Sequence, residues 1–160
     1  MLILKGLVIF NLGYIAWQDL NKREVYWFLF PSLFIVLGML HYNHVLPVHF
    51  KNAIVINLGL IFSIVSILYI YSLVRIKRPF FKEVFGLGDA LFFVTFAIAF
   101  PTATFIVFFV FSLLFSLGIW LIIKKNSKHN TIPLAGYMSL FLILIFIGNW
   151  ITDAINLYVI

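Results

Sequence analysis

Residues 84–93 read VFGLGDALFF, which sets an ionisable aspartate, Asp89, among phenylalanines and directly behind Gly86 and Gly88. The apolar run that holds it ends at Pro101. A helix from Asp89 to Pro101, rising about 1.5 Å per residue, covers roughly 18 Å. The hydrocarbon core of a bilayer is about 30 Å thick. Fusing this run with the next one, Thr102 to Ile123, would give a helix roughly 60 Å long, far too much. The two runs therefore form a hairpin that turns at FPTATF, residues 100–105. Either its first helix begins before the glycines, or GLGD lies below the membrane surface as irregular backbone within protein or a water-filled cavity. The second arrangement is the expectation.

The rest of the chain sets this stretch in a membrane. Of 160 residues, 64% are hydrophobic and 10% charged, and the mean hydropathy is +1.16. A water-soluble surface cannot be assembled from that composition, so the class is integral membrane protein. The apolar runs are long and do not alternate, which indicates helices rather than a barrel. Six segments are predicted: Leu2 to Gln18, Val25 to Tyr42, Ala53 to Val74, Val84 to Phe100, Thr102 to Ile123, and Ile132 to Ile151. The expected fold is an all-α bundle of about six transmembrane helices in a single domain, residues 1–160. The first segment lacks a basic start and a small-residue cleavage site, so it is expected to be retained.

Basic residues set the orientation. Lys22 and Arg23 follow the first segment, Arg75, Lys77, Arg78 and Lys82 the third, and Lys124, Lys125 and Lys128 the fifth. If all six segments cross, these share one face and leave only Lys5 and Lys51 for the other. The positive-inside rule makes the basic face cytoplasmic and both termini non-cytoplasmic. The net charge of +6 is then mainly an orientation signal that also attracts anionic lipid heads, with no nucleic acid required. Absence of cysteine excludes disulfides, thiolate-bound zinc and thiol catalysis.

The same topology carries a second acid to Asp89. Asp19, in YIAWQDLNKREVYWF, closes the first segment at the end where Asp89 opens the fourth. Paired carboxylates suit general acid–base hydrolysis: repulsion makes two close Asp groups share a proton. The ionised partner takes a proton from water and the protonated one polarises a scissile carbonyl. Gly86 and Gly88, without Cβ, permit unusual dihedrals and the approach of an extended substrate. Simpler roles stand beside these. Asp89 suits a helix N-cap, and Asp19 near Lys22 and Arg23 suits a solvated loop charge. Arg23, four residues from Asp19, suits an ion pair with it. His41, His44 and His49 in HYNHVLPVH fit no standard metal spacing. Pro133 suits the first residue of a helix, and Asp153 a solvated end.

DLNKREV (19–25), FGLGD (85–89) and TIPLAGY (131–137), in this order along the chain with the first two carrying the acids, resemble the motifs of the type IV prepilin peptidases, membrane aspartyl peptidases of the GxGD class. The resemblance covers essentially the whole chain. It implies catalytic roles for Asp19 and Asp89, supported by Gly86, Gly88 and Arg23. It further implies removal of the short basic leader of prepilin-like membrane precursors at the cytoplasmic face of the plasma (inner) membrane, with no metal or cofactor. The chain matches the minimal form, since it has no cysteine-rich methyltransferase insertion. Tyr26 and Trp27 stand where the family has Pro-Asn, and Leu91 where a Lys often follows the second aspartate. Those departures keep two other classes in view: a non-catalytic subunit that binds pilin-like helices, and a small proton or cation transporter subunit. A transporter would place its acids near midplane in repeated halves, which the sequence does not do.

Overall fold

The computed structural model describes residues 2–76, 85–124, 132–152 and 156–158. These form six α-helices: α1 (Leu2–Lys22), α2 (Leu29–Tyr42), α3 (Pro47–Tyr71), α4 (Leu87–Ala97), α5 (Thr102–Ile123) and α6 (Leu134–Thr152). A π-helical turn, Ser72–Ile76, extends α3. No strand occurs among the described residues. Lys77, Arg78, Lys82, Glu83, Lys125, Lys128 and Asp153 lie outside the described residues.

Three helices are long and apolar enough to cross a membrane: α3 with its extension (Pro47–Arg75), α5 and α6. α1 has 21 residues but carries Asn11, Gln18, Asp19 and Lys22 along its length. α2, with 14 residues, and α4, with 11, are apolar but shorter. Large apolar side chains such as Phe62 and Ile122 are 75% and 81% exposed. Apolar surface on that scale has no stable contact with water. This is the construction of a membrane protein.

The hairpin is present and antiparallel: Phe93 meets Phe109 edge to face, and Phe96 meets Phe105 in the same way. Its turn follows from Pro101, which supplies no N–H to continue α4 and steers residue 100 away from helical dihedrals. At about 1.5 Å per residue α4 rises only about 16 Å against roughly 33 Å for α5. The start of α4 therefore lies level with the middle of α5, recessed from the α5 end. Among the described residues of this stretch only Phe85 and Gly86 are irregular, and Leu87 to Asp89 already form the first turn of α4. GLGD is thus mostly helical rather than irregular.

Such a short helix ends inside the protein, where its last carbonyls need donors. Two buried side chains supply them. Asn57 of α3 donates through Nδ2 to Ala97 O at 2.8 Å and Phe100 O at 3.0 Å. His41 of α2 donates through Nδ1 to Ile98 O at 2.9 Å. Both are fully buried. Replacing Asn57 with leucine removes two hydrogen bonds and leaves the carbonyls dry, an expected loss of about 1–3 kcal/mol. A lowered midpoint in thermal or SDS unfolding of the detergent-solubilised protein checks it.

α1 packs chiefly on α6 and then on α2, while α4 sits among α2, α3, α5 and α6. The core they enclose is dominated by Phe92, Phe96, Phe100, Phe105 and Phe146 with Leu12, Leu33 and Met138. The last turn of α1 and the first turns of α4 and α6 meet at one end of this core, through the contacts described next.

Candidate functional site

Nothing in the residues that open α6, PLAG (133–136), offers a side-chain acceptor for the amides of its first turn. Helix starts leave these N–H groups without intrahelical partners. Pro133 precedes the helix as its cap residue, one position earlier than the sequence suggested, with its carbonyl accepting from Tyr137 N. Acceptors come instead from two distant helices. Ala135 N donates to Asp89 Oδ1 at 3.0 Å, and Gly136 N donates to Asp19 Oδ2 at 2.6 Å. Residues 46 and 117 positions apart from their partners thereby converge on consecutive amides. Consecutive backbone nitrogens are at most about 3.7 Å apart, so the two acceptor oxygens lie no more than about 9 Å from each other. The charge of Asp19 acts directly on Asp89.

Each carboxyl is held differently. Asp19 lies within the last turn of α1 rather than beyond it, and is 9% exposed. Asp89 is the third residue of α4, not its N-cap; the cap is Gly86, which has no side chain to offer. The Gly86 backbone N–H faces the Asp89 carboxyl, as in a capping box in which the third helical residue reaches back to the cap. Both acids therefore accept backbone hydrogen bonds, Asp19 from Gly136 and Asp89 from Ala135 with Gly86 beside it.

The glycines act through space rather than through unusual dihedrals, since no glycine among the described residues has positive φ. A Cβ on Gly86 would stand 3.1 Å from Asp89 Oδ2. One on Gly88 would meet only Phe30 Cζ, at an ordinary 3.7 Å. Gly136 is confined on the α1 side, where a Cβ would meet Asp19 Cβ and Oδ2 at 3.1 Å each and Leu20 Cγ at 3.3 Å. The sequence offered only one hint of Gly136, a small-residue pair just after the proline that starts a helix.

Arg23 ends α1 by taking φ of 59°, the one positive φ at a non-glycine residue among those described. Its amide closes the last turn on Asp19 O at 3.2 Å. The loop beyond is pinned by Gln18, whose Oε1 accepts from Tyr26 N at 3.0 Å. The Arg23 guanidinium lies over the Trp120 ring of α5 at 5.7 Å, and its charge acts on both aspartates. No direct ion pair with Asp19 forms.

The remaining sequence candidates lie apart from the aspartates. Among the described residues no three His, Asp or Glu side chains converge to hold a metal. His41 serves the α4 terminus, while His44 bonds Leu40 O through Nδ1 and stacks on Tyr158. A cavity of about 530 Å³ lies near the opposite end of α4, lined by His41, His49, Asn52 and Pro101 among others, and neither aspartate lines it. Tyr26 and Trp27 are exposed, as is Leu91.

Compared with known proteins, the chain matches no family model, no curated protein and no solved structure.

Proposed function

We propose that this protein is a membrane aspartyl endopeptidase of prepilin-peptidase type, with Asp19 and Asp89 as its catalytic dyad. The observation that carries this reading is the convergence of the two carboxyls on the consecutive amides of Ala135 and Gly136. Two acids from separate helices, their bonded oxygens within about 9 Å of each other and the charge of Asp19 acting at Asp89, can hold one proton between them. The ionised carboxyl takes a proton from water as that water attacks a peptide carbonyl, and the protonated one polarises the carbonyl. Water is the nucleophile and the two carboxyls activate it, so the proposed mechanism uses no metal or cofactor and forms no covalent intermediate.

The substrates proposed are prepilin-like membrane proteins, cut after a short basic leader where it joins a hydrophobic helix. All six helices then lie in the plasma (inner) membrane, the basic ends of α1, α3 and α5 face the cytoplasm, and both termini face outward. The short α4 suits this use, because it recesses Asp89 toward the level at which a membrane-embedded helix would present its junction.

One observation favours a second reading. Each aspartate already caps α6, so the pair could serve only to join three helices in a subunit that binds pilin-like helices without cutting them. Co-expression with a tagged prepilin-like precursor separates the two. Leader removal by the native chain, seen as a mobility shift and a new N-terminus, is the expected result. Failure across several precursors would leave the binding subunit as the better account.

A further inference from the structure

We propose that the Arg23 guanidinium is a third catalytic group, donating to the scissile carbonyl oxygen as it gains negative charge. This rests on the peptidase reading above and adds a role for Arg23 beyond the motif match.

The backbone supplies the first reason. An L-residue with a Cβ is uncommon at φ near +60°, and glycine is the residue that fits there. α1 nevertheless ends with arginine at that position. Strained backbone persists where the side chain it presents is used. As a helix stop alone, glycine would serve better.

The side chain supplies the second. Arg23 Nε is buried and has no hydrogen-bond partner. A dry N–H without an acceptor is costly, and the group is positively charged. Its charge reaches Asp19 and Asp89, yet it pairs directly with neither. Its contact with the Trp120 ring, 5.7 Å from the guanidinium carbon to the ring centre, holds the group on the α5 side. The result is an unpaired, oriented donor beside two acids that would activate water. An ion pair with Asp19, suggested by the four-residue spacing, would have used up that donor.

In the reaction, a water oxygen bonds to the carbonyl carbon while one aspartate takes its proton. The carbonyl oxygen becomes a tetrahedral oxyanion that accepts from Arg23 and from the protonated aspartate. The C–N bond then breaks, and the departing nitrogen leaves with a proton from the dyad. Arg23 transfers no proton; it stabilises charge only in the transition state, so its effect falls on kcat.

The test compares native protein with Arg23→Gly and Arg23→Lys on one cleavable precursor in detergent. For Arg23→Gly the expected results are an equal or higher thermal midpoint, kcat lower on the order of 100-fold, and KM within about threefold, as for an interaction made only in the transition state. Millimolar guanidinium ion should restore part of the lost kcat, which a purely structural role would not allow. Native-like cleavage by Arg23→Gly overturns the inference while leaving the peptidase reading intact. Should that variant not insert, Arg23→Lys decides: reduced kcat supports the donor role, and a native rate overturns it. A native chain that cleaves no precursor removes the peptidase reading, and this inference with it.

Discussion

Asp89→Asn is expected to abolish leader removal, by on the order of 10³-fold or more, while the protein inserts and melts as the native chain does. The structure makes this substitution unusually informative. Asparagine keeps an Oδ1 that can go on accepting from Ala135 N, so the first turn of α6 stays capped. What it loses is the exchangeable proton of the carboxyl. Asp19→Asn should behave in the same way at Gly136. Asp89→Ala, by contrast, removes the acceptor as well, and should add a stability loss of about 1 kcal/mol, the ordinary worth of a cap. Cleavage assays on purified variants, paired with thermal unfolding, check all three. If the acids are only caps, the asparagine variants would match the native chain in every assay, and any native cleavage would have to come from other residues.

Much of this site could be read from the chain before its fold was known. Counting rise per residue between Asp89 and Pro101 showed that α4 could not cross alone, and the antiparallel α4–α5 hairpin follows from it. Alternation of segments brought Asp19 and Asp89 to one end. The boundaries of α5 agree at both ends, because Pro101 and the lysines after Ile123 mark them chemically. α2 begins four residues later than hydropathy suggested. The reason is Arg23, whose left-handed backbone and the Gln18–Tyr26 bond build a turn from residues that are themselves apolar. Hydropathy has no means of registering such a turn. Nor could it register that α2 is shorter than a bilayer, or that Asn57 and His41 are placed to receive the end of α4. The amides of α6 were missed for a related reason. A backbone donor has no letter of its own in a sequence, and its importance came from the lack of a side-chain acceptor within PLAG itself, residues 133–136.

Gly136→Val should be nearly as damaging as loss of a carboxyl, with cleavage lower by about 100-fold or more. Gly136 lies where α6 and α1 approach most closely among the described glycines, and even a single Cβ there meets three atoms of Asp19 and Leu20 at 3.1–3.3 Å. The added branches of valine cannot fit without driving Asp19 outward. The 2.6 Å bond from Gly136 N to Asp19 Oδ2 would lengthen or break, and the two carboxyls would separate. A displacement of about 1 Å at a reacting group is enough to cost two orders of magnitude in rate. Gly136→Ala should show a graded version, since its one methyl asks the neighbours to move by only a few tenths of an ångström. Gly86→Ala should press on Asp89 Oδ2 in the same sense. Gly88→Ala meets only ordinary contact with Phe30, so its folding should be unchanged, and its cleavage rate then reports whether substrate uses that space. An ordering of native, then Gly136→Ala, then Gly136→Val in kcat, with comparable insertion, would tie activity to the position of Asp19. Equal rates for all three would mean that the chemistry does not pass through that carboxyl.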